Sequence, residues 1–177
     1  GNPSLSTHNI NNEDNDDIIK SFIQNGLDNK EEDNVKVILY PVYLDGNDGL
    51  IGLSYYDAMA GCHLGVFPSY YEPWGYTPLE ASALGVPSIT SDLAGFGRFI
   101  QKQLKNNMED GIFVLKRMGR NEQEIVNNFT DTLYQFTQRD KHQRAKNKLN
   151  AKELSGLADW NILVENYIKA HNLALKK

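Results

Sequence analysis

The chain has 177 residues, a formal net charge of −5 and 40% apolar side chains, enough for one domain with a substantial core. The acidic balance argues against nucleic acid or an anionic membrane as partner. No apolar run reaches the length of a membrane span, and the single cysteine, Cys62, excludes an internal disulfide, which fits an expected cytoplasmic setting.

In chain order, residues 1–14 are polar and Asn-rich and read as loop. The opening Gly1-Asn2 reads as a cloning remnant, as in a piece excised from a longer chain. Asp16 to Asn25 is predicted helical, with Ile18, Ile19, Phe22 and Ile23 on one face and Gly26 as a stop. Val35 to Tyr40 is predicted to be a strand. Leu44 to Gly52, with three glycines and two aspartates, reads as a mobile surface loop. A short helix follows Ser54, then a strand over His63 to Phe67, which makes Cys62 a small core residue beside it. The expected order continues with a helix over Pro78 to Leu84, a strand over Pro87 to Thr90, a helix over Phe96 to Lys105 and a strand over Ile112 to Leu115. This alternation argues for a parallel sheet covered on both faces. Beyond Arg120 the pattern is helical: Glu122 to Gln138, a basic stretch over Lys141 to Leu154, and Asp159 to Leu175. The last carries Trp160, Leu163, Val164, Tyr167, Ile168, Leu173 and Leu175, a stripe expected to be core. No internal repeat and no cluster with metal-ligand spacing occurs.

The run from Phe67 to Glu80 is the most informative. Glu72 and Glu80 are separated by seven residues that include two prolines, a glycine and a threonine. Pro68 ends the preceding strand, because it lacks an N–H. Thr77 reads as a helix N-cap, Pro78 as the first helical residue and Glu80 as the third, as in a capping box. The free N–H groups and dipole of such a helix start favour an anion, and a diphosphate is the natural ligand. Gly75 would let the backbone approach that ligand. Glu72 is expected at the carboxyl end of the strand, where open α/β sheets bind ligands. Capping alone also explains Thr77, Pro78 and Glu80. It does not explain Glu72.

The block Gly61-Cys62-His63-Leu64-Gly65-Val66-Phe67-Pro68-Ser69-Tyr70-Tyr71-Glu72-Pro73-Trp74-Gly75-Tyr76-Thr77-Pro78-Leu79-Glu80 resembles the signature of eukaryotic-type glycogen synthases, glycosyltransferase family 3. The likeness continues through Gly85 to Thr90, Ser91 to Gly97, Asp110 to Leu115 and Leu154 to Trp160. Thr7-His8-Asn9 and Val35 to Ile38 resemble the family as well. The central block is highly specific; the helical tail is less so.

The resemblance implies an α/β fold: a Rossmann-like parallel sheet with flanking helices, the C-terminal half of a GT-B glycosyltransferase, ending in a helical tail. It implies a donor-nucleotide lobe over 1–120, incomplete at its start, and a helical segment over 121–177 packing on it. In the family the last helix packs on the other lobe; without that lobe it would expose an apolar patch. The implied reaction is retaining transfer of glucose from UDP-glucose to the non-reducing end of an α-1,4-glucan such as glycogen. Glu72 matches the catalytic glutamate, near the donor sugar, and a carboxylate there favours an oxocarbenium-like transition state. Glu80 matches the residue expected on the ribose hydroxyls. Gly75, Tyr76 and Thr77 match the phosphate-binding turn. Tyr55 matches an aromatic that stacks on uracil, or is an ordinary half-buried tyrosine. Trp74 lines the glucose pocket or braces the loop. His63 matches a family histidine and reads as a satisfied core residue.

No metal or other cofactor is implied, and the expected partners are UDP-glucose, the glucan and further copies of the full-length protein. The family's phosphate-binding arginine and lysine lie upstream of this chain, so the fragment alone is expected to be inactive. In Arg139 to Lys148 only Arg144 keeps the register of the family's arginine-rich, glucose 6-phosphate-binding helix; a solvated basic face is the favoured reading. A non-catalytic nucleotide- or glucan-binding regulatory lobe, or a synthase using ADP-glucose, are the alternatives.

Overall fold

The computed structural model describes residues 2–104 and 111–176. The chain forms two compact units, Gly1–Tyr55 and Tyr56–Lys177. In the first, α1 (Asp17–Gln24) starts at Asp16, whose carboxylate accepts the N–H groups of Ile18 and Ile19 at 2.9 and 3.0 Å.

The strand expected over Val35 to Tyr40 is not formed. Only Leu39 pairs, in an isolated parallel bridge with Ser6. Val35 and Ile38 are exposed, and an apolar segment becomes a strand only when a neighbour takes up its main-chain groups. Here the buried side chain of Asn29 does so instead: its amide accepts from Val37 N at 2.8 Å and donates to Val37 O at 2.9 Å.

Asp48 organises the loop over 44–52. Its carboxylate accepts the Tyr40 hydroxyl at 2.5 Å and the N–H groups of Leu50, Ile51 and Gly52 at 2.8–3.0 Å. The Tyr40 bond, with help from these amides and against the effect of burial, holds the Asp48 carboxyl at about 2, below its usual 3.8.

The second unit begins within α2 (Tyr55–Ala60) and contains a parallel sheet in the order β1 (Gly65–Val66), β2 (Ser88–Ser91), β3 (Ile112–Leu115). Between the strands lie α3 (Tyr76–Ala83) and α4 (Gly95–Gln103), and α5 (Glu122–Thr137), α6 (Lys141–Gly156) and α7 (Trp160–Leu175) follow. The mixed α/β, Rossmann-like architecture with a helical tail is therefore present, with three parallel strands among the described residues. The predicted helix over Phe96 to Lys105 ends at Gln103; Lys105 and Asp110 lie outside the described residues.

The central strand β2 is wholly buried yet reads Ser-Ile-Thr-Ser. Its hydroxyls are used rather than merely enclosed. Ser82 Oγ donates to Pro78 O at 2.8 Å, and Ser88 Oγ shares its proton between Ser82 Oγ at 2.9 Å and Pro78 O at 3.2 Å. Phe96, Ile100, Ile112, Leu154 and Ala158 form the core cluster, with Trp74, Leu79, Phe99 and Leu163 against it. The helices α5 and α6 begin at capping boxes, Asn121 with Glu124 and Asp140 with Gln143.

Four expectations are corrected. The strand over His63 to Phe67 is reduced to Gly65–Val66. His63 is exposed, not a core histidine. Cys62 is likewise an exposed thiol, at the end of α2 rather than under the sheet. Finally, α7 buries none of its residues: Leu163 touches the core cluster, while Trp160 remains 61% exposed. Its periodicity marks an apolar face that the described residues cover only in part, at Leu163 and Val164. In the basic stretch, Arg139 lies over Phe113 at 5.2 Å and Arg144 Nη1 donates to Arg139 O at 2.6 Å, while Lys141, His142, Lys146 and Lys148 are exposed.

A carboxyl held low adds stability that is fully present above pH 3.8 and is lost as pH falls toward about 2. Circular dichroism across that window should therefore show Asp48→Asn losing less stability with acid than wild type does. Parallel acid profiles would remove Asp48 as the source of the effect.

Candidate functional site

The site is built past the carboxyl ends of β1 and β2. The ladder runs one step beyond β1, through Phe67 N to Ile89 O at 2.8 Å, and stops at Pro68. The chain then crosses to the start of α4. Glu72 pairs with Ala94 in a parallel bridge. Gly95 N donates to Glu72 O at 3.1 Å and Phe96 N to Trp74 O at 2.7 Å. Helix α4 has no side-chain cap, so its first N–H groups are satisfied by the carbonyls of the site loop. The approach is close enough to require glycine. A Cβ on Gly95 would stand 2.2 Å from Pro73 O, and one on Gly97 2.0 Å from Ser91 O.

Helix α3 starts earlier than predicted. Gly75, with φ of 108°, precedes Tyr76 as the first helical residue, and no side chain caps this end. Thr77 and Pro78 are thus the second and third residues, not the N-cap and the first, and Glu80 is not part of a capping box. The cause is the backbone of Gly75, a left-handed conformation that lets the chain turn into the helix two residues sooner. Pro78 still falls in the first turn, where its missing N–H costs nothing.

Glu72 is half-buried, and its carboxylate accepts from Ser69 Oγ at 3.4 Å. Its Cγ lies 3.5 Å from where a Cβ on Gly75 would be, so the side chain runs beside the turn into α3. Glu80 accepts the Tyr56 hydroxyl at 3.2 Å, and that bond, with the nearby negative charge and some burial, raises the Tyr56 pKa above its ordinary value of 10.0. Trp74 packs on Phe96 and Phe99, with ring centroids 5.8 and 5.6 Å away, and lines a groove of about 480 Å³ with Tyr76, Leu79, Trp160 and Tyr167. Tyr76 is exposed and Thr77 half-buried.

The structure therefore gathers Glu72, Trp74, Gly75, Tyr76, Thr77 and Glu80 on one loop and helix start. Tyr55 is exposed at the head of α2 and falls in the first unit; its neighbour Tyr56 is the one that meets Glu80. Sequence reasoning missed Tyr56, Asp92 and Arg117. The last two directly follow or nearly follow β2 and β3, and polar residues just past strand ends were the available signal. Asp92 accepts the N–H groups of Arg117 and Met118 at 2.9 and 3.2 Å. Among the described residues no cluster of three metal-ligating side chains occurs, and no helix is long and apolar enough to cross a membrane.

A family model described as glycogen synthase matches residues 2–177. The chain belongs to the glycogen synthase family. It is 38% identical over 175 residues to a glycogen [starch] synthase of Neurospora crassa, 39% to the liver glycogen [starch] synthase of Mus musculus and 41% to a glycogen [starch] synthase of Caenorhabditis elegans. Each alignment covers 99% of this chain. The chain spans about a quarter of the length of these curated relatives, 25–26%.

The Gly75 conformation yields a direct test. In urea unfolding, Gly75→Ala should cost about 1–3 kcal/mol. Gly156→Ala, at the open end of α6 with no neighbour within 4 Å, should leave stability unchanged or up to ~1 kcal/mol higher. Equal effects would remove backbone strain as the reason for glycine at 75.

Proposed function

We propose that this chain is the sugar-nucleotide-binding lobe of a retaining glucosyltransferase that moves glucose from UDP-glucose to the non-reducing end of an α-1,4-glucan. The reading is supported by the family match over residues 2–177, together with Glu72 and Glu80 bracketing an uncapped helix start. That combination is the observation that carries it.

In this assignment the N–H groups of Tyr76 and Thr77 and the dipole of α3 take the diphosphate. As the bond from the anomeric carbon to the diphosphate breaks, the Glu72 carboxylate stabilises positive charge on the sugar, and the acceptor 4-hydroxyl oxygen bonds that carbon while its proton passes to the departing diphosphate oxygen of UDP. Glu80 takes the ribose hydroxyls, with Tyr56 orienting its carboxylate. Trp74 braces the loop and borders the glucose, and Tyr55 supplies the stacking face for the base. No metal is needed, because the helix start and cations from the rest of the enzyme balance the leaving diphosphate. The whole enzyme is proposed to be cytoplasmic and homo-oligomeric. This chain, a quarter of its relatives' length, is proposed to bind donor without turning it over.

Two substitutions divide these roles. In the complete enzyme, Glu72→Ala should lower turnover by at least ~10²-fold while UDP affinity stays within about threefold. Unchanged turnover would remove Glu72 from the chemistry. Calorimetric titration of this chain should show saturable binding that prefers UDP over ADP, and Glu80→Ala should weaken UDP roughly tenfold or more with little effect on free diphosphate. Equal losses for both ligands would argue against a ribose contact, and no binding of any nucleotide by the complete enzyme would overturn the donor site.

A further inference from the structure

Arg117 lies two residues past the end of β3 and is only 9% exposed. A buried cation normally keeps a carboxylate beside it, because taking an unpaired charge out of water is unfavourable. Among the described residues the Arg117 guanidinium makes no ion pair, and its Nε is buried without a hydrogen-bond partner. Asp92, the nearest acid in its hydrogen-bond network, is directed to the main-chain N–H groups of Arg117 and Met118. It fixes the backbone and leaves the head group for something else.

The guanidinium is directed at the site loop. Nη1 donates to Pro68 O at 2.6 Å, and the guanidinium carbon lies 3.8 Å from the centroid of the Tyr70 ring. These are a charge-assisted hydrogen bond and a cation–π contact, both of which a neutral side chain of similar size would forfeit. They straddle Ser69. Ser69 O accepts Ser91 Oγ at 2.8 Å, and Ser69 Oγ reaches the Glu72 carboxylate. Packing alone does not account for a charge at 117, since an apolar chain would fill the space without the desolvation cost.

We propose that Arg117 is a positioning residue for Glu72: its guanidinium clamps Pro68 and Tyr70, and through Ser69 fixes where the Glu72 carboxylate stands. The inference rests on the catalytic role of Glu72 proposed above. It assigns to this lobe an arginine that touches neither donor nor acceptor, yet governs the chemical step more than binding.

The test uses the complete enzyme, with kcat, donor KM and urea midpoint measured for wild type, Arg117→Met, Arg117→Lys and Tyr70→Leu. Arg117→Met should lower kcat by roughly 10- to 100-fold, the scale of a misplaced catalytic group, with donor KM within about threefold. Arg117→Lys, which keeps a donor for Pro68 O, should recover part of that loss. Tyr70 is 78% exposed, so Tyr70→Leu should fold normally and lower kcat by about three- to tenfold as one of the two contacts is lost. A wild-type kcat in Arg117→Met overturns the proposal, as does a loss that follows stability with no recovery in Arg117→Lys. If Arg117→Met does not fold, an unchanged kcat in Tyr70→Leu overturns it. Amide exchange separates this from failure of the glucosyltransferase reading. Even if wild type transfers no glucose, faster exchange at residues 69–72 in Tyr70→Leu, with β2 unchanged, supports the clamp, and unaltered exchange there refutes it.

Discussion

The second unit depends on the seating of α4 against the loop that carries Glu72. Two main-chain bonds, Gly95 N to Glu72 O and Phe96 N to Trp74 O, join the helix start to the loop. They form only because Gly95 and Gly97 present no side chain to Pro73 O and Ser91 O. The same residues place Phe96 at the centre of the apolar cluster. A helix end that would otherwise need a cap is thus satisfied by the segment it supports, so the folding of the core and the shaping of the site are one event. Changing either glycine would push on both at once.

From that contact the remaining elements follow. The central strand β2 runs into α4, and its buried hydroxyls hold α3 on one side and the site loop on the other. Parallel sheets usually fill such a strand with branched apolar residues. Here, as long as every hydroxyl but that of Thr90 finds a partner, polar side chains in the middle of the sheet serve as joints between elements.

What the sequence made legible was local. The strand Ile112–Leu115 and the start of α5 fall where apolar residues placed them, and α6 starts where the basic stretch begins, because side chains a few residues apart determine them. That a loop at Glu72 leads into a helix was legible through the prolines and glycine of the run. What failed was set by partners distant in the chain or by one backbone angle. Val35 to Tyr40 has strand composition, but Asn29 rather than a neighbouring strand takes the main chain of Val37. Helix α3 begins before Thr77 because of the φ of Gly75, which composition does not report. The stripe on α7 shows that a helix has an apolar face, not what lies against it. Arg117 meets Pro68 across 49 residues, a separation at which no periodicity speaks.

The hydroxyls of Ser82 and Ser88 both end on Pro78 O, in the first turn of α3. That turn is therefore anchored to the middle of the sheet before any ligand arrives. Its conformational entropy is given up during folding rather than at recognition. A molecule bound at Tyr76 and Thr77 meets a preorganised surface, so differences in affinity among related ligands there should be set mainly by residence time and not by a slow ordering step.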